Sequence, residues 1–354
     1  MTSEALKATK AEVLEKLGLG LIPDEEAKRL IRDQLERRVQ WINTHDCEQR
    51  LAHLHNYVQS LRQADLDTTN GFNPDTYEMP IAFMKLIQGR LMKLSTCYFK
   101  NKSTTLEDAE EEMLDLYCER AQIRDGDQIL DLGSGYGSLA IYVARKYPHC
   151  HVTAITNVKS QTKFVKEQCK NYKLNNVEVV LGDITKVELN KEFDRVMAIE
   201  VFEHIKNYEL LLKKISKWMK KDGLLFVENM CHKNHSYQMK PLHEDDWIEE
   251  IIFPDEIVTI ASADLLLYFQ KNVSIANHWV LNGKHISRSS EAWLNRLDDN
   301  ANAAKAVLKD FLGSEDEAVK WINQFRLSFI HGIMQGEFNN GEEWMIAHFL
   351  FKKK

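Results

Sequence analysis

Residues 129 to 137 read Ile129-Leu130-Asp131-Leu132-Gly133-Ser134-Gly135-Tyr136-Gly137, an apolar run that passes through one acid into three closely spaced glycines. The helical texture of Ser138 to Lys146 follows at once. Glycine lets the backbone turn tightly and approach a ligand, and the start of a helix presents free N–H groups. Taken alone, the pattern fits a nucleotide-type ligand or merely a tight strand-to-helix turn. It departs from the dinucleotide fingerprint in two ways: its third glycine comes early, and the next strand ends in Thr156-Asn157 instead of an acid.

Working outward, short β-branched runs alternate with amphipathic helices from Asp127 onward. The predicted strands are Gln128 to Leu132, His151 to Thr156, Val177 to Leu181, Phe193 to Ile199 and Gly223 to Glu228. The helices between them are Ser138 to Lys146, Ser160 to Tyr172 and Tyr208 to Lys220, the last with Leu211, Leu212, Ile215, Trp218 and Met219 on one face. Such alternation implies a mostly parallel sheet covered on both sides, an α/β fold of Rossmann-like kind. His278 to Asn282 and Trp344 to Phe351 read as late strands, the second a candidate edge. The segment Ser236 to Ser274 and helices from Ser290 to Gln335 interrupt or cover the active edge as a cap before the last strands. Upstream, Met1 to Leu19, Asp24 to Ile42 and Glu48 to Gln63 have helical periodicity and form an N-terminal helical layer, ended by Asn70-Gly71 and Pro74. The expected division is an N-terminal layer and lid at 1–103, a ligand-binding core at 104–235, and a cap with closing strands at 236–354.

Two features raise the ligand reading of the glycine loop. Asp131 precedes the glycines, and Gly182-Asp183-Ile184 follows the third strand. In an open parallel sheet, ligands sit beyond the carboxyl ends of the strands, where all these residues fall. A carboxylate at Asp183 can accept a hydrogen bond from an adenine amino group, with Ile184 against the ring. Standing alone, Asp183 would more simply cap the next helical turn.

Bulk properties exclude several other classes. The 354 residues carry 46 basic and 53 acidic side chains, a formal charge of −7 with no basic stripe, so nucleic acid is not expected as a partner. The acidic run Glu107 to Glu112 and the terminal lysines read as solvated surface. Met1 to Lys10 lacks the apolar core of a signal peptide and no stretch is long enough to span a bilayer, so cytoplasmic residence is expected, with no membrane partner. Six scattered cysteines without a Cys-x-x-Cys pair argue against structural zinc and a disulfide framework. No metal is expected.

Further segments carry a resemblance: Leu94-Ser95 to Tyr98-Phe99-Lys100, Met113 to Gln122, Thr156-Asn157 with Ser160-Gln161, Phe202-Glu203-His204 with Lys206-Asn207-Tyr208, and Asn339 to Met345. The glycine loop resembles motif I of class I S-adenosylmethionine-dependent methyltransferases. From about residue 75 onward the chain is similar to the plant amine N-methyltransferases of alkaloid pathways, the coclaurine, tetrahydroprotoberberine, pavine and phenylalkylamine enzymes, relatives of cyclopropane fatty-acid synthases. The resemblance implies S-adenosylmethionine as co-substrate and a homodimer. It also implies a cofactor pocket lined by Ser95, Gly133, Gly135, Asn157, Gln161, Asp183, Ile184 and Ile199, with Asn157 and Gln161 replacing the usual ribose-binding acid. Ser134 stands where the family usually has Cys.

Ile199-Glu200-Val201-Phe202-Glu203-His204 follows the fourth strand, so its polar groups fall near a transferring methyl group. Methyl transfer is an in-line displacement in which position matters most. An alkylamine of pKa about 10 is almost wholly protonated at pH 7, which hides its lone pair at a cost near 4 kcal/mol. His204 can take that proton, and Glu203 can hold the ammonium or stabilise the imidazolium. Glu200 adds a further acid beside them, and Glu228 another at the end of the fifth strand. The resemblance implies Glu78 as a second carboxylate facing the amine; the alternative is a surface acid before Pro80. Tyr98, Phe202, Trp321, Phe325 and Phe329 are candidates, as a group, to wall an apolar substrate and stabilise a cation. The expected reaction is N-methylation of a small aromatic amine. The competing reading is a lipid-modifying cyclopropane synthase, whose bicarbonate-binding Cys and His are Thr96 and Glu228 here.

Overall fold

Gln128–Leu132 forms β1 near the middle of the sheet, between β2 (His151–Thr156) and β4 (Phe193–Ile199), both parallel to it. β3 (Val177–Leu181) lies outside β2. The computed structural model describes residues 10–67, 77–252 and 258–354. The Asn70-Gly71 and Pro74 signals, and the first nine residues, lie outside the described residues. The bounds of β1 to β4 coincide with the sequence reading, because each apolar run is short and closed by turn residues.

β5 runs from Met219 to His232, well past the expected Gly223 to Glu228. It pairs in parallel with β4 and antiparallel with β9 (Trp344–Lys353), and β8 (Val273–Leu281) closes that edge antiparallel to β9. At its far end Cys231 and His232 pair in parallel with β7 (Thr259–Ser262), which pairs with β6 (Tyr237–Gln238). Part of Ser236 to Ser274 therefore extends the sheet. β9 is interior, not an edge strand: Ile346, Ala347, Phe349, Leu350 and Phe351 are all buried. The near-continuous apolar run is itself the mark of a strand buried on both faces.

Crossover helices α6 (Ser138–Lys146), α7 (Lys159–Asn171) and α8 (Tyr208–Trp218) cover the sheet. Leu211, Leu212, Ile215 and Trp218 of α8 are buried, each such side chain contributing about 1.5–3 kcal/mol. The N-terminal helices serve two cores. Those of α1 (Lys10–Gly18) and α2 (Asp24–Asn43) bury Leu17, Ile31, Leu35 and Ile42 against the cap, whereas α3 (Cys47–Gln63) sends Leu54, Val58 and Leu61 to the core beneath α8. A capping box between Asp46 and Gln49 starts α3 and separates the two. The shorter α4 (Ile81–Ile87) and the longer α5 (Leu106–Arg120) lead into β1. After β5 come α9 (Ile248–Ile252) and then, between β8 and β9, the cap helices α10 (Lys284–Asp299), α11 (Ala301–Leu312) and α12 (Glu315–Glu337).

One member of the acidic run departs from the solvated reading. Glu110 is buried and accepts the N–H groups of Leu91 (2.8 Å) and Lys93 (3.2 Å). A Cβ on Gly89 would stand 2.5 Å from its carboxyl carbon, so that glycine is needed for the close approach. The acid thereby fixes the turn that carries Lys93, Ser95 and Thr96 to the site.

Candidate active site

A cavity of about 580 Å³ lies beyond the carboxyl ends of β1, β2 and β4 and reaches to α12. Gly133 and Gly135 form one wall with φ of +68° and +54°, a conformation natural to glycine. A Cβ on Gly133 would come within 2.7 Å of Val201 Cγ2, so the loop packs directly on the segment bearing the acids. Ser95, Asn157, Gln161, Asp183, Ile184 and Ile199 line the same cavity. All eight expected cofactor-pocket residues are thus brought together.

Their partners differ in readiness for a ligand. Asp131 Oδ2 and Ser134 Oγ are buried without a hydrogen-bond partner among the described residues, and burial pushes the Asp131 carboxyl up to about 7. Such buried orphans beside a Gly-lined cradle suit a polar, cationic ligand group. Asp183 does cap the following turn: Oδ1 accepts Thr185 N (2.8 Å) and Thr185 Oγ1 (2.7 Å), while still facing the cavity. Gln161 Oε1 accepts the Thr156 hydroxyl at 2.6 Å.

The second half of the site follows β4. Glu200 has φ of +51°, a left-handed conformation that a non-glycine residue adopts at a cost of about 1–3 kcal/mol. Its N–H donates to Glu228 O (2.9 Å), while its Oε1 accepts both Thr96 N and Thr96 Oγ1 (3.1 Å each). Burial and the nearby Glu228 charge push the Glu200 carboxyl up to about 7. Glu203 is buried, and one carboxylate oxygen accepts Met230 N at 2.8 Å. Its other oxygen has no partner among the described residues, and burial followed by the Glu200 charge raises this carboxyl well above the usual range. His204 is half-buried on the same single helical turn, Phe202–His204, and lines the cavity with both acids. Trp321, Phe325 and Phe329 form an aromatic face on α12.

Three expected substrate residues lie elsewhere. The Glu78 carboxylate accepts Lys159 N (2.6 Å) and Ser160 N (3.0 Å), capping α7, and does not line the cavity. The first turn of a helix has unpaired N–H groups and a positive dipole end that attract an acid. Phe202 is fully buried beneath the site against Tyr208, with ring centroids 5.3 Å apart. Tyr98 stacks on His285 at 4.5 Å. Neither ring lines the cavity.

Sequence reasoning also missed the support under the acids. Glu228 accepts Tyr117 OH (2.6 Å) and His348 Nε2–H (2.5 Å), and Arg120 donates to His348 Nδ1 (2.7 Å). Although burial opposes ionisation, His348 holds the Glu228 carboxyl below its usual value. Glu228 is therefore occupied by these donors and does not line the cavity. Lys93 Nζ, also buried, donates to Ser95 Oγ and to Thr96 O at 2.5 and 2.6 Å. Glu228 was singled out by resemblance, as the residue standing where cyclopropane synthases have a His, but nothing local in sequence points to Lys93 or His348. Among the described residues no group of His, Cys, Asp and Glu side chains is arranged to hold a metal ion, and no helix is long and apolar enough to cross a membrane.

The sheet order, the glycine loop and the acids after β4 define a class I S-adenosylmethionine-dependent methyltransferase. Residues 70–315 match the family described as mycolic acid cyclopropane synthetase. The chain is 51% identical to (S)-coclaurine N-methyltransferase of Thalictrum flavum subsp. glaucum, covering 98% of this chain and 97% of that one. It is 45% identical to pavine N-methyltransferase of the same plant over 100% and 99% of the two chains. A crystal structure of coclaurine N-methyltransferase bound to N-methylheliamine and SAH superposes with a TM-score of 0.95 at 50% identity, covering 97% of this chain and 99% of that one. The chain belongs to this family, as a member of its S-adenosylmethionine-dependent amine N-methyltransferase branch.

Proposed function

We propose that the substrate is a small aromatic amine of the phenylalkylamine or benzylisoquinoline type, held as its ammonium by Glu203 and Glu200 and deprotonated by His204. The observation that carries this reading is the second Glu203 oxygen, buried, unpartnered among the described residues and set in a cavity with an aromatic wall. An ammonium entering there supplies the missing partner and the compensating charge. Bound S-adenosylmethionine supplies an electrophilic methyl group, and Gly133, Gly135, Asp131, Ser134 and Gln161 are the residues suited to hold it. His204 then has one task, removal of the proton that masks the amine lone pair. Trp321, Phe325 and Phe329 offer ring faces to the organic body and its positive charge.

The cyclopropane-synthase alternative fits the site less well. Thr96 is engaged by Glu200 and Glu228 by Tyr117 and His348, so neither position offers a free group for an anionic base. We also propose residence in a reducing, cytoplasmic compartment, in keeping with six free cysteines of which five are buried, and a homodimeric assembly as the family resemblance implies. The division at 1–103, 104–235 and 236–354 serves as lid, co-substrate core and substrate cap. The test of the main reading is purified enzyme with methyl-labelled S-adenosylmethionine and a panel of phenylalkylamines, tetrahydroisoquinolines and protoberberines, beside phenols and phospholipids. Label should enter amines alone; cyclopropanated lipid in an expressing bacterium would overturn it.

A further inference from the structure

Two files of residues on α12 face the cavity. Trp321, Phe325 and Phe329 make the aromatic file; Gln324, Ser328, His331 and Gln335, at steps of four, three and four residues, make a polar one. The upper half of the polar file is already used. Gln324 Nε2 donates to Ile251 O (2.9 Å) and Ser328 Oγ donates to Gln324 O (2.9 Å). The lower half differs. His331 and Gln335 are buried, and among the described residues no group hydrogen-bonds the His331 ring or the Gln335 amide.

Across from them, on α10, Trp293 Nε1 is buried with no partner among the described residues, and Trp293 also lines the cavity. Its ring lies 5.8 Å from that of Phe329 on α12. The two helices approach closely here, since a Cβ on Gly332 would stand 2.2 Å from Ser290 Oγ. The joint wall therefore carries a buried N–H donor, an imidazole and an amide, with Ser290 and the aromatic file beside them. An indole N–H left unmet in the interior is disfavoured, so a ligand that satisfies it is favoured.

The chemistry of the set narrows the ligand. Burial alone holds the His331 imidazole down at about 4, so it is neutral at physiological pH, with one ring nitrogen accepting and the other donating. A second cation or an anion finds no countercharge in this set. A hydroxyl is matched on both sides: its O–H donates to an imidazole nitrogen while its oxygen accepts the indole N–H. An ether oxygen uses only the donor, and a plain ring C–H uses neither.

We propose that Trp293, His331 and Gln335 form a subsite for a phenolic hydroxyl on the aromatic body of the amine substrate. The inference rests on the amine N-methyltransferase reading and names the substituent that the far wall selects. Its experiment compares tetrahydroisoquinolines bearing hydroxyl, methoxyl or hydrogen at one ring position. Wild-type kcat/KM should favour the hydroxyl compound over the hydrogen compound by tenfold or more, with methoxyl between them. His331→Phe and Trp293→Phe should each lower kcat/KM for the hydroxyl compound by about 10- to 100-fold and change the hydrogen compound by less than about threefold. His331→Gln, which keeps a donor and an acceptor, should recover part of the loss. Equal methylation of the three compounds by wild type, or equal losses on all three in both variants, would overturn the subsite while leaving the methyltransferase reading intact. If wild type methylates none of the three or any other amine, that reading fails and the subsite with it.

Discussion

Gly133→Ala and Gly135→Ala form a matched pair that tests how the glycine loop is joined to the acids after β4. Both positions have positive φ, so an alanine at either incurs a backbone penalty of about 1–2 kcal/mol. The surroundings then separate them. Among the described residues the new methyl at 135 would meet only Leu94 Cδ1, at an ordinary 3.6 Å, whereas that at 133 would be driven to 2.7 Å from Val201 Cγ2. Val201 is buried beside Glu200, and displacing it adds an overpacking term of about 1–3 kcal/mol. Gly133→Ala should therefore destabilise the protein by about 2–5 kcal/mol and Gly135→Ala by about 1–2. Thermal melts without ligand should differ by several degrees, and calorimetry should find S-adenosylmethionine binding weakened in both. Turnover should fall further in Gly133→Ala, because Val201 moves Glu200 and Glu203 with it. Equal melting losses, or a larger loss at 135, would refute the direct packing of loop on acid segment; replacement of either glycine by Val with unchanged co-substrate affinity would refute the pocket itself.

Glu78→Ala should free the first turn of α7 and, through Gln161, raise KM for S-adenosylmethionine several-fold while the amine KM changes little; a rise confined to the amine KM would show the acid facing the substrate after all. Glu343 gives the fold an acid-sensitive joint: burial would raise its carboxyl, yet His232 (3.0 Å) and Lys233 (2.8 Å) hold it at about 2. A folded value below the unfolded one stabilises the native state above the unfolded pKa and loses that contribution as pH falls. Up to about 3 kcal/mol should therefore disappear between roughly pH 4.5 and 2, and urea midpoints of Glu343→Gln should lack that part of the acid slope.

Local patterns carried most of the fold. β1 to β4 and α6 were legible because short apolar runs and their glycine or polar ends are set by neighbours in sequence. The place of β9 was not, since its partners β5 and β8 are remote and only the near-continuous apolar run Trp344 to Phe351 hinted at two-sided burial. In the site, Gly133, Gly135, Glu200, Glu203 and His204 were readable from position after a strand. Tyr98 and Phe202 were not, because an aromatic residue beside a site has the same sequence signature whether it faces the cavity or the core beneath. Glu110, Lys93 and the Glu228–His348–Arg120 chain bring together residues as far as 228 positions apart, which no local pattern records.

The proposed removal of the amine proton by His204 is tested by the pH dependence of kcat for His204→Ala against wild type, with S-adenosylmethionine and a methylated amine both saturating. At neutral pH only about one amine in a thousand is neutral in solution, and a general base typically contributes about 10²- to 10⁴-fold. The variant should lose turnover by a factor of that order while co-substrate affinity, by calorimetry, stays close to wild type. Glu203→Gln, measured beside it, should raise the amine KM as well as lower kcat, because it removes the charge that draws the ammonium in. As pH approaches the free amine's own pKa, solution supplies the neutral nucleophile and the His204→Ala deficit should narrow progressively. Near-wild-type turnover at neutral pH, or the same fractional loss at every pH up to that value, would contradict the assignment of His204 as the base.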